Sequence, residues 1–171
     1  MKKSIITFLF ILGAISFASA QKFALIDMEY ILKNIPSYEM ANEQLNQASQ
    51  VWENEVNELS KEAENMYKKY QNEMVFLSDA DKKKREEEIV LKEKEVTETR
   101  YKYFGPEGEL YKKRQSLMMP IQEDVYNAVK AVAEENGYQT IFDRASSQSI
   151  VFASPKIDVS NLVLAKLGYS K

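Results

Sequence analysis

The sequence predicts a mostly α-helical protein with a small β body, from which a long antiparallel coiled-coil hairpin projects as a tentacle. Three observations carry that prediction. Residues 37–119 are charged, nearly free of strand formers and hold Gly only at 105 and 108, which is a long-helix composition. Apolar side chains within that stretch recur at heptad spacing. The short apolar runs that read as strands all lie outside it, so residues 21–36 and 120–171 are expected to build one oligomerisation body and residues 37–119 the hairpin.

The first twenty residues are expected to be a signal peptide. Met1-Lys2-Lys3 is a positive n-region, Ile5 to Phe17 an apolar core of 13 residues, and Ala18-Ser19-Ala20 a small-x-small cleavage site. A membrane-spanning helix needs about 20 apolar residues, more than this run supplies. Cleavage after Ala20 leaves Gln21 as the first residue, with no Cys to carry a lipid, so the mature chain is expected to be soluble in an exported compartment.

Lys22-Phe23-Ala24-Leu25-Ile26-Asp27 reads as the first strand and Met28–Asn34 as a brief helix. The outbound arm starts at Ser37. Leu45, Trp52, Leu59 and Met66 recur every seven residues, and Val56, Ala63, Tyr70 and Leu77 form a second row offset by four, which together define a coiled-coil seam. Leu77-Ser78-Asp79-Ala80-Asp81 then places short polar side chains where a turn and a helix cap are needed. The return arm opens at Lys82 and carries Ile89, Val96, Tyr103, Leu110 and Leu117 at heptad spacing, beside Phe104, Tyr111, Met118, Val125 and Val132. The partner of each arm is therefore in the same chain.

Pro36 and Pro120 lie 42 residues on either side of Ser78, and each disfavours helix in the residue before it. Two equal arms folded at their midpoint would reach about 60 Å at 1.5 Å per residue. Gly105-Pro106-Glu107-Gly108 interrupts the return arm and is the candidate hinge. Beyond Pro120, an amphipathic helix through Glu135 is expected to stop at Asn136-Gly137. Strands at Tyr138–Asp143 and Ser149–Ala153 follow, joined by the Arg144–Gln148 loop, and a last helix runs over Val159–Leu167 with Asp158 as its cap.

The body that these segments form is small, has no disulfide, and leaves sheet edges open. Self-association covers such edges and enlarges such a core, so an obligate oligomer is expected; periodicity alone does not give its subunit number.

Composition excludes several functions. The 171 residues include neither Cys nor His, which removes thiolate and imidazole zinc sites, Fe–S ligation, thiol catalysis and a Ser-His-Asp triad. A formal charge of −3 and a pI near 5.3 lack the basic footprint that nucleic acid demands. Asp27 and Asp143 both end strands and invite comparison with an acid–base pair, but no nucleophile, phosphate loop or metal cluster accompanies them, so they read as turn or cap residues. No enzyme and no cofactor are expected.

At this point the residues carry a resemblance. The strand at 22–28, the long charged hairpin, Met119-Pro120-Ile121-Gln122, the run from Ala133 through Asn136-Gly137-Tyr138 to Asp143, Pro155-Lys156-Ile157-Asp158 and Leu167-Gly168-Tyr169 together resemble the Skp/OmpH family of periplasmic chaperones. The likeness spans the whole mature chain, with moderately specific ends and a generic coiled-coil middle. It implies a periplasmic homotrimer whose hairpins surround a cavity, holding unfolded outer-membrane β-barrel proteins without ATP. The chain departs from the family in charge: familiar members are strongly basic, whereas residues 21–171 carry a net −5, with −7 in residues 37–109 and +2 in the remainder.

Within that frame, Trp52, Met66 and Tyr70 belong to the seam, whereas Tyr67, Met74 and Phe76 fall off it and are the candidate client-binding side chains, because Met and aromatic groups adapt to many partners. Lys82, Lys83, Lys84 and Arg85 form a basic cluster just past the tip, within i,i+4 reach of Glu86–Glu88. A solvated, self-paired face is the plainer reading of that cluster; its functional reading is a transient contact with a membrane surface through anionic head groups, or with acidic client segments. Two functional classes remain, an ATP-independent holdase for unfolded outer-membrane proteins and a structural coiled-coil scaffold that bridges envelope components.

Overall fold

The computed structural model describes residues 22–147 and 149–169. The expected signal peptide and its cleavage site lie outside the described residues, as does Gln148 of the expected loop. In chain order the elements are β1 (Phe23–Ile26), α1 (Met28–Lys33), α2 (Pro36–Glu73), a 3-10 turn (Met74–Phe76), α3 (Asp79–Phe104), α4 (Glu109–Asn136), β2 (Thr140–Asp143), a second 3-10 turn (Pro155–Ile157) and α5 (Ser160–Lys166). The protein is thus mostly helical, with a long helical hairpin and a small two-stranded sheet. Two compact units divide the described residues, one containing those through Asn34 and those from Asp124 onward, the other residues 35–123.

In the first unit β1 and β2 pair in parallel, Phe23 opposite Thr140 and Ile26 opposite Asp143. Ala24, Leu25 and Ile26 are all buried, which fits a strand covered on both faces. The far edge of β1 is closed as well, by a bridge between Leu25 and Asp158 and by the Val159 N–H on the Leu25 carbonyl at 2.8 Å. Helix α1 packs against α5, and Ile31, Val125 and Val163 are fully buried. Gly137 and Gly168 end α4 and α5 with φ of 71° and 85°, the left-handed cap that glycine adopts without strain. Tyr138 and Tyr169 then return their N–H groups to the Ala133 and Leu164 carbonyls.

Two expectations fail here. Ser149–Ala153 is not a strand in any of its described residues; Val151 and Phe152 stand 98% and 85% exposed. A strand needs a ladder partner, and β-propensity in the Ile150-Val151-Phe152 run does not substitute for one. The last helix begins at Ser160 instead of Val159, because Asp158 accepts the Ser160 N–H at 2.9 Å in a local turn while Val159 occupies the cap position.

In the second unit α2 packs along α3. Pro36 stands at the first helical position of α2, where its missing N–H costs nothing. Ser78 caps α3, its Oγ accepting the Asp81 N–H at 3.2 Å while its hydroxyl donates to the Asp81 carboxylate; Asp79 and Asp81 add favourable charge at that helix start. Proline 120 does not end a helix. It lies on an exposed face inside α4, where the carbonyl that loses its donor is left to solvent, and α4 runs on to carry the buried Ile121, Val125, Ala128 and Val132.

Candidate functional site

The heptad positions within α2 and α3 are buried or half-buried, whereas Tyr111 of the expected second row is exposed on α4. Leu45, Val56 and Ala63 of α2 and Ile89 and Tyr103 of α3 are buried. The Trp52 indole stacks on the Tyr103 ring, with centroids 5.0 Å apart and planes within 7°, and the Tyr103 hydroxyl donates to the Glu55 carboxylate at 2.9 Å. Nearer the tip, Lys92 reaches Glu95 at 2.7 Å and Glu62 across the seam at 3.1 Å. Those hydrogen bonds, Glu95 first and then Glu62, raise the Lys92 pKa above its usual value. Tyr70 donates to Glu86, and that bond raises the phenol pKa.

At the tip the off-seam candidates Met74 and Phe76 share one 3-10 turn with Val75. Met74 is 40%, Val75 76% and Phe76 87% exposed, so three large apolar side chains in succession face solvent. Val75 was not singled out by the heptad reading, although its place between two candidates was the available signal. Lys83 and Lys84 are exposed in the second turn of α3. Lys82 pairs with Asp79 at 3.4 Å and Arg85 approaches Glu73 at 3.9 Å, whereas the i,i+4 pairing with Glu86–Glu88 does not form. Glu86 is engaged by Tyr70 instead.

Tyr67 is separated from the tip trio in sequence by almost two turns of α2 and lines an open groove of about 450 Å³ between α2 and α3. The groove arises because Ala63 is the smallest side chain of the two outbound rows, its own row otherwise carrying Val56, Tyr70 and Leu77. Buried Ala63 and half-buried Val96 supply its apolar base; Glu64, Glu93 and Thr97 are exposed along it. Ser60 Oγ donates to the Val56 carbonyl at 2.8 Å and Thr97 Oγ1 to the Glu93 carbonyl at 3.0 Å, so the two hydroxyls are satisfied by their own helices.

The candidate hinge is a closed β-turn. The Gly108 N–H donates to the Gly105 carbonyl at 2.9 Å, with Pro106 at the second position, where its fixed φ suits the turn. A Cβ on Gly105 would lie 2.4 Å from the Tyr101 carbonyl oxygen, and one on Gly108 would lie 2.7 Å from that of Tyr103. Both contacts are with backbone, so only glycine fits at either position.

The strand-end aspartates serve local structure. Asp27 Oδ1 caps α1 by accepting the Tyr30 N–H at 2.8 Å, and Asp143 Oδ1 accepts from Met28 and Ala145 at 3.0 Å each. Burial pushes the Asp143 carboxyl up, but hydrogen bonds from Ser146, Met28 and Ala145 outweigh it and leave its pKa below the usual value. Arg144 ties the unit together, reaching Asp27 at 3.0 Å and Asp158 at 3.4 Å, while Ser160 Oγ accepts from the Asp27 N–H and donates to Asp158. Among the described residues no group of acidic side chains has a metal-binding arrangement, and no helix is long and apolar enough to cross a membrane.

A helical hairpin with an exposed apolar tip and a compact unit built on two parallel strands define a class of helix-rich α+β proteins with a long helical hairpin. Residues 22–167 match the family of outer membrane proteins described as OmpH-like, and the chain belongs to that family. Its fold is similar to the crystal structure of a protein from Caulobacter crescentus CB15 assigned as an OmpH-like outer membrane chaperone, with a TM-score of 0.69 and 11% identity over 87% of this chain and 85% of that one. No curated protein sequence matches the chain.

Proposed function

We propose that this protein is an ATP-independent holdase of the periplasm, which binds unfolded outer-membrane β-barrel proteins and keeps them from aggregating. The observation that carries the reading is the Met74-Val75-Phe76 turn, three exposed apolar side chains in succession at the tip of the hairpin. Soluble chains seldom leave such a run uncovered without a partner for it. Membership of the OmpH-like family and the chaperone assignment of the Caulobacter neighbour support the same reading. On this reading the chain is exported by its signal peptide, assembles as a homotrimer, and does no covalent chemistry. Many weak contacts on the hairpins hold one client, and segments that let go rebind at high local concentration. The client is released without nucleotide when its own folding buries the apolar surface.

Light scattering from several unrelated barrel proteins diluted out of urea tests this. The protein is expected to suppress aggregation of all of them and to ignore their folded forms. Binding of one folded partner, with no suppression for any unfolded barrel, would replace the holdase by the envelope scaffold.

A further inference from the structure

We propose that the groove beside Tyr67 is a receptor for the arginine and lysine side chains of an unfolded client segment, an inference that rests on the holdase reading and names the client chemistry that this site selects. Three features of the groove coincide with what a long cationic side chain requires. Ala63 and Val96 give an apolar base for the aliphatic stem. The half-exposed Tyr67 ring gives a face for the cation. Glu64 and Glu93 give two carboxylates, and no basic residue lines the groove.

The remaining polar groups do not compete. Ser60 and Thr97 are bonded to the carbonyls of their own helices, so a stem crossing them leaves no donor stranded. Glu64 is ionised, its carboxyl held below the usual value by the hydrogen bond and charge of Lys68. That ion pair is an exposed i,i+4 contact, of the kind that contributes little, and an incoming guanidinium can replace it. Residues 61–104, Glu64 and Glu93 included, hold 11 acidic and 11 basic groups. The selectivity of the groove is assigned to the local pairing of carboxylate with aromatic ring, which the control variant below separates from the general attraction of the net −7 carried by residues 37–109.

The probe is a fluorescein-labelled ten-residue peptide of alternating Arg and Ser, followed by anisotropy against the full mature chain at physiological salt. The same peptide with citrulline for Arg keeps the shape and removes the charge. The wild type is expected to bind the Arg peptide and discriminate against citrulline. Glu64→Gln with Glu93→Gln is expected to lose about tenfold in affinity, as two charge-assisted contacts are neutralised. Tyr67→Ala is expected to weaken binding and Tyr67→Phe to retain it. The control, Glu58→Gln with Glu87→Gln, removes the same charge from exposed positions outside the groove and is expected to bind as the wild type does.

Equal losses in both double variants, or none in the groove variant, would overturn the receptor. Aggregation assays on an unfolded barrel separate the two levels of the claim. Groove-dependent peptide binding without barrel protection would sink the holdase and leave the receptor standing; protection without groove dependence would do the reverse.

Discussion

At residue scale, the roles legible in the sequence are those played within a few positions of the side chain; the long-range contacts of the same residues were not legible. Asp27 and Asp143 cap and brace turns beside them, which strand-end position alone made legible. Arg144 was not legible as a bridge, because Asp27 is brought to it by the parallel strand pair and Asp158 by its own bridge to Leu25. Asp143 offers a titration test. Its folded pKa lies below the ordinary carboxylate value, so it contributes stability above the unfolded pKa, and that contribution is lost as pH falls through the folded one. Asp143→Ala is expected to cost about 1 kcal/mol at neutral pH, in line with a lost cap, and the difference from wild type should shrink in acid. Urea melts at pH 7 and pH 3 check both statements. In the hairpin, Trp52→Ala removes a half-buried ring stacked on Tyr103. A loss of about 2 kcal/mol is expected, below the usual range for a fully buried Trp, together with loss of near-ultraviolet dichroism from the stacked pair.

At element scale the periodic signals carried furthest. A heptad seam repeats one physical requirement at every turn, so the bodies of α2 and α3 were readable and Ser78 marked the reversal, although α2 stops at Glu73 short of the expected Leu77 and α3 opens at Asp79 and not at Lys82. Signals resting on a single residue or on propensity alone fared worse. Proline 120 was outweighed by the apolar stripe on both sides of it, and the 149–153 run found no strand to pair with. The groove at Ala63 was missed because a small residue at a seam position is a signal only when compared with its row. The break at Gly105-Pro106-Gly108 belongs to this scale. Neither glycine accepts a Cβ without moving backbone, so replacing all three residues by Ala should abolish the turn and let α3 and α4 fuse, recovering about 1 kcal/mol per Gly and about 3 for Pro in propensity. Helicity is expected to rise and spin-label distances between tips to narrow in distribution. If the break serves as a hinge that adapts the hairpin to clients, the fused variant will protect a narrower range of barrel sizes. Unchanged protection despite measured stiffening would reduce the turn to a tolerated irregularity.

At the scale of the whole molecule, the first unit is the part that calls for company. Its sheet has two strands, and β2 keeps its outer edge unpaired among the described residues. Phe23 and Phe142 meet edge to face with centroids 6.5 Å apart while each remains half exposed, and Val151 and Phe152 are almost fully exposed in a segment with strand composition. An open edge with strand-forming sequence beside it is a template for pairing with another chain, and apolar exposure of this kind is stabilised by burial at roughly 25 cal/mol per Å². A second or third copy supplies both, so the mature protein is expected to sediment as a stable trimer at micromolar concentration, the subunit number coming from the family resemblance. Phe142→Glu with Phe152→Glu should place charges in that contact and give monomers with reduced cooperativity of unfolding. Deleting residues 37–119 and closing the gap with a short flexible linker should leave the trimer intact and abolish barrel protection, because assembly and client contact then reside in different stretches of chain. A cooperatively folded monomer of the unaltered protein would remove the trimer and any cavity between its hairpins. A deletion variant that still protects barrels would move the client site out of the hairpin altogether.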